Sequence, residues 1–419
     1  MTDWEKIDDD LTTPTFFAGT DFHATFATLR REDPVHWTKG NYERGFWSLT
    51  RHTDVLRLLD EPELFSIRNG PHLPPEAKEF TGEQLRAMGM DVGIASTDPP
   101  RHHSRRIPMN PHFSVPAVRR LRGEVENISE EIFREVAPRG EADIVEDLAA
   151  QLPVRLFLPM MGIPKADWRF VRNLTVALLH PEDPEFKRKG EDATQTMVDA
   201  QQELYAYMYE HVGRRRADPQ DDFTSLIANM KVDGEPLGQR EATWYCLTVV
   251  QGGLETTRNA AAMGMYELIR DPRQAQLLRE DSTVATTAVE EIIRWVTPSK
   301  NRARTATADT DMFGKPMKKG DWVVGWAVSA NRDETVFGST ADRFDITRTP
   351  NKHLGFGDGV HLCLGRNVAR LELEVLIRRF AEVITDAELL GEPDWVVSDN
   401  TTGFKRLNIR FTPKALQAV

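Results

Sequence analysis

Apolar residues at Leu364, Val368, Leu371 and Val375 recur at steps of three and four, with Arg366, Arg370, Glu372 and Glu374 between them. That spacing predicts an amphipathic helix beginning just after residue 363. A longer proline-free helical pattern runs over residues 237–271. Thirty residues at about 1.5 Å each span about 45 Å, enough to cross a whole domain. Gly252-Gly253 interrupts its middle. Interior glycines cost about 1 kcal/mol each relative to alanine, so the pair asks for a reason, and a flat ligand lying against the helix is one. Upstream, residues 24–31 read as a helix stopped by Asp33-Pro34, and residues 35–38 and 45–49 as strands. A helix carrying Val55, Leu56, Leu58 and Leu59 follows, with Thr53-Asp54 as the expected cap. Residues 69–97 are irregular, residues 115–235 mostly helical, and residues 322–326 and 407–411 strands. The pattern is that of a mainly helical protein with small sheets.

Composition narrows the class. The 419 residues contain no Gly/Ser-rich linker or repeat, and 40% are hydrophobic and 28% charged, as in a soluble globular protein with one deep core. Residues 1–419 are therefore read as a single domain. A formal charge of −12 argues against a nucleic-acid surface. The acidic N-terminus is unlike a signal peptide or anchor, and no apolar run reaches the roughly 18 to 20 residues of a membrane span. Two cysteines, Cys246 and Cys363, form no disulfide framework, which suits the cytoplasm.

Chemistry concentrates in residues 353–365, His-Leu-Gly-Phe-Gly-Asp-Gly-Val-His-Leu-Cys-Leu-Gly. The glycines permit positive φ and close backbone approach. Cys363, next to a helix N-terminus, is placed where a thiolate is favoured over a thiol. Zinc would need three or four protein ligands, and no second cysteine or Cys/His cluster stands at ligand spacing. Heme iron needs only one axial ligand from the protein. Elsewhere, Asp98-Pro99-Pro100 opens a helix on which His102 and Arg106 share a face, a cationic pair that asks for an anionic partner. Glu255-Thr256, after the glycine pair, joins a carboxylate to a hydroxyl, groups able to pass protons from water to a buried site.

The run Phe356-Gly357-Asp358-Gly359-Val360-His361-Leu362-Cys363-Leu364-Gly365 resembles the heme-binding signature of the cytochrome P450 family at every fixed position. Further resemblances are Asp98-Pro99-Pro100-x-His102-x-x-x-Arg106, Gly252-Gly253-x-Glu255-Thr256, Glu291-x-x-Arg294, Asp342-Arg343-Phe344 and Ala330-Asn331-Arg332-Asp333. The resemblance implies the cytochrome P450 fold, with heme b (iron protoporphyrin IX) between the long central helix and the helix after the cysteine loop. It implies Cys363 as the metal ligand, and His102, Arg106, Arg304 and His361 on the propionates. Gly252, Phe356 and Gly365 would complete the cofactor cradle. Glu255 and Thr256 would manage protons, and Arg343 would join Glu291 and Arg294 in locking the cysteine loop.

The activity so implied is a heme-thiolate monooxygenase that hydroxylates a lipophilic small molecule, a terpenoid, steroid or similar, with O2. No flavin or nicotinamide motif is present, so the electrons are expected from a ferredoxin and ferredoxin reductase, with Arg105, Lys352 and Arg366 as docking candidates. A peroxide-driven peroxygenase is disfavoured by Glu255-Thr256, and a non-catalytic heme sensor or carrier is the reading from another class. By the same resemblance the pocket candidates are Leu73, Phe80, Leu85, Met88, Met90, Val92 and Ile94 in the irregular segment, Leu174, Ala177 and Leu178 in the roof, and the turn at residues 400–404. Ser299, Lys300 and Asn301 are polar where the chain should pass substrate. Either the substrate carries oxygen there or these side chains turn away.

Overall fold

The computed structural model describes residues 2–414, so residue 1 and residues 415–419 of the expected domain lie outside the described residues. The helical pattern around residues 237–271 forms one helix, Gln239–Arg270, of 32 residues. It is buried along nearly its whole length, from Ala242 to Leu268, because helices pack on every side of it. Its neighbours are Gln151–Met160, Ala193–Ala217, Ala285–Val296 and Arg366–Val383. Small residues permit the close approach. A Cβ on Gly264 would stand 2.7 Å from the Ile292 side chain of Ala285–Val296.

The two predicted strands pair antiparallel, with Val35 opposite Leu49 and Trp37 opposite Trp47. They form one edge of a five-stranded sheet in which Phe46–Leu49 runs parallel to Trp322–Trp326, which in turn pairs with Asn301–Ala306. Alternation sends residues of each strand to opposite faces. One apolar cluster holds Phe17, Phe22, Phe26 and Trp326, and another holds Leu49, Val55, Leu58 and Val323. At the C-terminus Asn408–Pro413 lies between Glu141–Asp143 and Ile384–Leu389. A short pairing of Asp394–Trp395 with Phe404–Arg406 brings the turn between them back against the helices.

Three local expectations are corrected. The helix bearing Val55 and Leu58 starts at His52, and neither Thr53 nor Asp54 caps it. The His52 N–H donates instead to Asp333 Oδ2 at 2.8 Å, so a distant carboxylate does the capping. The irregular segment contains a helix, Gly82–Ala87, opened by a reciprocal capping box between Thr81 and Gln84.

The third correction concerns the lock on the cysteine loop. Glu291 and Arg294 form a fully buried bidentate pair, both contacts 2.7 Å. The second guanidinium on Glu291 is that of Arg348, at 3.1 Å, whereas the Arg343 side chain is exposed and its carbonyl accepts from both Arg294 and Arg348. Glu291 also accepts from Asn351 Nδ2 and the Asp345 N–H. One carboxylate thus gathers the whole segment that leads into the cysteine loop. Removing it strands two buried cations, which typically costs about 3–5 kcal/mol. Glu291→Ala is expected to lower urea-denaturation stability by that order, and Arg343→Ala by no more than about 0.5 kcal/mol, as for a surface change. Equal losses for the two variants would contradict the assignment.

Candidate active site

The loop ahead of Arg366–Val383 is bent by Gly357 (φ +71°) and Gly359 (φ +63°). At Gly359 the bend brings the backbone so close to its neighbour that an added Cβ would lie 2.6 Å from the Leu59 carbonyl oxygen. Glu290, beside the buried pair just described, braces the loop from outside. It contacts His353 Nε2 at 3.0 Å and Arg370 Nε at 2.6 Å, and the Arg370 guanidinium in turn lies 4.6 Å from the centre of the Phe356 ring. Burial works to raise the Glu290 pKa, but hydrogen bonds from His353 and Arg370 hold it at about 2. Nothing in the local pattern distinguishes Glu290 from any surface glutamate. Phe356 is thereby fixed against the core, and the Cys363 N–H closes the loop on the Phe356 carbonyl at 2.9 Å.

Burial raises the Cys363 thiol pKa, while the Gly365 N–H and the Arg302, Arg106 and Arg366 guanidiniums pull it down. The net direction is upward. A metal cation on the sulfur would reverse that balance, because it deprotonates a coordinating thiol outright. Cys246 lies wholly buried in the central helix, its pKa pushed up to about 12 by burial, and is inert.

Around this sulfur the expected cofactor residues gather. His102 is completely buried, and neither of its ring nitrogens has a partner. The His361 ring lies 4.2 Å away, and its Nε2 is also buried and unpartnered. Burial, followed by neighbouring positive charge, brings His102 down to about 4 and His361 to about 2. Arg304 is buried, bonds only to the Ala303 carbonyl, and is lowered to about 10 by burial. Arg302 shares its strand face and is likewise lowered to about 10 by burial. The reading by spacing passed over Arg302, although alternation along Asn301–Ala306 marks it. Arg106 donates to the Leu362 carbonyl beside Cys363. Asp98, the carboxylate acting on His102 and Arg304, already accepts from Ser66 and the Ile67 N–H and pairs with Arg68.

Such a cluster of buried, unneutralised donors calls for an anion with several acceptor oxygens. The two propionates of heme have that chemistry. Two glycines add clearance, since a Cβ at Gly252 or at Gly365 meets no atom within 4 Å. Gly253 differs: its Cβ would lie 2.9 Å from the Phe157 ring, so that glycine serves helix packing and not a ligand. Among the described residues no group of three or more His, Cys, Asp or Glu is placed to hold a metal ion. The residues present fit heme.

Glu255 and Thr256 are adjacent but engaged differently. The Thr256 hydroxyl is half-buried and donates to the Gly252 carbonyl at 3.0 Å. Glu255 is buried, 2.9 Å from Arg258 Nη2 and 3.2 Å from His180 Nε2. Burial, the largest influence, works to raise its pKa. Arg258, His180 and Arg172 outweigh burial and hold it at about 2.

The remaining candidates separate. Leu174, Ala177, Leu178, Val92 and Ile94 join the main core, and Leu73 joins the cluster around Phe17. Phe80 and Met88 line a cavity of about 250 Å³ with Tyr205 and Trp244. Ser299 Oγ accepts from Arg302, whereas Lys300 and Asn301 turn toward the C-terminal turn. Lys300 Nζ donates to the Ser398 carbonyl at 2.7 Å and to that of Thr401, and Asn301 Nδ2 to the Asp399 carbonyl at 3.2 Å. They tether the C-terminal turn. Of the docking candidates, Lys352 is exposed, Arg366 donates to the Cys363 carbonyl at 3.0 Å, and Arg105 is half-buried and paired with Glu241, so it is not free for a partner.

Comparison with known proteins agrees with this geometry. The sequence model of the cytochrome P450 family matches residues 167–382. The chain is 33% identical to linalool 8-monooxygenase of Pseudomonas putida, over 97% of this chain and 99% of that protein. It is 34% identical to the methyl-branched lipid omega-hydroxylase of Mycobacterium tuberculosis, over 92% of this chain and 90% of the relative. A Mycobacterium marinum cytochrome P450 solved in complex with pseudoionone superposes with a TM-score of 0.87 at 30% identity, covering 96% of this chain and 98% of that one. Among the described residues no helix is long and apolar enough to cross a membrane.

The ionised state of Glu255 has a measurable consequence. A pKa lowered from 4.5 to about 2 contributes stability that is present above pH 4.5 and lost as pH falls toward 2. At about 1.4 kcal/mol per pH unit the contribution is about 3 kcal/mol. The stability gap between the wild type and Glu255→Gln, measured by urea denaturation, is expected to close on acidification through this window. A gap independent of pH would contradict an ionised Glu255.

Proposed function

The chain belongs to the cytochrome P450 family, a heme b monooxygenase family, and we propose that its substrate is a lipophilic small molecule of terpenoid, steroid or related lipid character. The hydroxylation consumes O2, two electrons and two protons and leaves water beside the alcohol product. We take the electron donors to be a ferredoxin and its reductase, and residues 1–419 to form one catalytic domain. The observation that carries the reading is the pair of buried histidines, His102 and His361, with unpartnered ring nitrogens beside the Cys363 loop, together with the open face of the central helix at Gly252.

When bound, heme supplies the activation of O2 that a polypeptide alone lacks. On this reading Cys363 would be the protein's ligand to the iron, and its ionisation there would offset the burial penalty on the thiol. Arg106 and Arg304, with Arg302, would neutralise the propionates, and the neutral rings of His102 and His361 would each donate one N–H hydrogen bond to them. Gly252 and Gly365 admit the macrocycle, and Phe356 shields the sulfur. Thr256, already bonded to the Gly252 carbonyl, holds a hydroxyl proton on that face of the helix, and Glu255 beside it is the carboxylate that would pass protons inward. Leu174, Ala177 and Leu178 exclude water from above.

The terpenoid and lipid assignment draws on the names of the relatives and on the apolar character of the roof. Purified protein loaded with heme and supplied with NADH, ferredoxin and ferredoxin reductase should convert at least one member of a terpenoid, steroid and branched-lipid panel. The expected product carries one added oxygen by mass spectrometry, and its formation requires both protein partners. Conversion of aromatic or polar compounds only, or conversion that needs no ferredoxin, would overturn the assignment.

A further inference from the structure

The cavity of about 250 Å³ lined by Phe80 and Met88 lies between three elements: the irregular segment, the N-terminal half of Ala193–Ala217, and the central helix at Trp244. Trp244 stands eight residues before Gly252, which is about 12 Å along the helix axis and about 80° around it. The cavity is therefore set apart from the open face at Gly252. Its inner wall is buried, with Trp244 5%, Met88 7% and Gln201 9% exposed, whereas Gln84, Gln195 and Gln202 form an exposed rim.

The indole of Trp244 is held in place. A Cβ on Gly89 would collide with it, so the chain packs directly on the ring, and the Tyr205 ring lies 5.0 Å away. Among the described residues neither the Trp244 Nε1–H nor the Gln201 amide has a hydrogen-bond partner, although both side chains are more than nine-tenths buried. Neither group is sealed from open space, and the space that both residues line is the cavity. Buried donors and acceptors are nearly always matched, so this pair asks for a partner. The indole offers one donor, and the amide offers a donor and an acceptor. Phe80, Met88 and Val198 supply apolar surface beside them. Among the described lining residues only Lys78 carries charge, and it is exposed, so a charged occupant would find no buried counter-ion.

We propose that this cavity is a second ligand site, separate from the heme face, for a small neutral lipophile that carries one hydroxyl or carbonyl group. A cavity of about 150 Å³ accepts benzene, so one of about 250 Å³ accepts a molecule of about ten to twelve non-hydrogen atoms. A ligand hydroxyl accepts from Trp244 Nε1 and donates to the Gln201 amide oxygen, whereas a ligand carbonyl accepts from both residues. The site rests on its own walls and not on the substrate class proposed for the heme pocket. Because those walls come from three elements, an occupant ties the irregular segment to both helices.

The probes are linalool, an alcohol of suitable size, and myrcene, the hydrocarbon with the same carbon skeleton. Equilibrium dialysis of the ferric, heme-loaded enzyme counts every bound molecule, whereas the Soret shift counts only those that reach the iron. Dialysis is expected to count about one linalool per chain more than the Soret titration does. Gln201→Leu and Trp244→Phe should each weaken that extra molecule by about threefold to tenfold, the worth of one neutral hydrogen bond, and leave the Soret titration unchanged. Val198→Trp, which fills the cavity, should abolish it, and myrcene should bind there more weakly than linalool by at least about threefold. Equal counts by the two methods would overturn the site. So would an extra molecule indifferent to all three substitutions, or one that does not distinguish linalool from myrcene. An extra linalool that responds to the substitutions without any Soret shift upholds the site and counts against linalool as a ligand of the heme pocket. If Val198→Trp fails to fold, the two polar substitutions and the myrcene comparison decide.

Discussion

The rest of the structure depends on keeping positive charge and an ionisable sulfur together out of water. Cys363 sits in a half-buried loop, and desolvation of its sulfur raises the thiol pKa. Arg106, Arg302 and Arg304 bond to carbonyls and neutral side chains and to no carboxylate, and buried ring nitrogens of the two neutral histidines have no hydrogen-bond partner. Neither half is stable chemistry alone. A metal cation on the sulfur and an anion on the guanidiniums resolve both costs together, and heme b carries the two charges in one molecule. The folded chain is thus an incomplete electrostatic arrangement that its cofactor completes.

Holding this arrangement takes rigidity from outside the cofactor layer. Glu290 and Glu291, adjacent on one helix, work on different targets: Glu290 braces His353 and Arg370 behind the loop, while Glu291 gathers Arg294 and Arg348. Each is a buried or half-buried ion pair whose value lies in fixing chain path more than in net stability. On the opposite side Lys300, which resembled a substrate contact in sequence, pins the C-terminal turn that carries Thr401. That turn, the roof corner and the central helix meet at His180. The same packing that closes the roof therefore organises the hydrogen bonds reaching Glu255.

Features written in local spacing were legible in the sequence. The cysteine loop, the long helix, the Glu255-Thr256 pair and the two opening strands all follow from residues within one or two turns of each other. So does the face shared by His102 and Arg106. What escaped was set by partners far along the chain. Asp333 caps the helix at His52 from 281 positions away, and His180 meets Glu255 across 75. Arg348 supplants Arg343 because the path of an irregular segment, unlike a helix, has no period from which to tell which arginine turns inward. The two central glycines read alike in sequence, yet one faces open space and the other the Phe157 ring, a difference decided by helix rotation.

The account rests on Cys363 as the single axial ligand, and the absorption spectrum of the heme-loaded, reduced protein under carbon monoxide tests it most directly. The wild type should show the red-shifted Soret band of a thiolate-ligated heme, and Cys363→His should move it to the position of a histidine-ligated globin while still taking up heme. An unchanged spectrum in the variant, or a globin-like band in the wild type, would contradict the account.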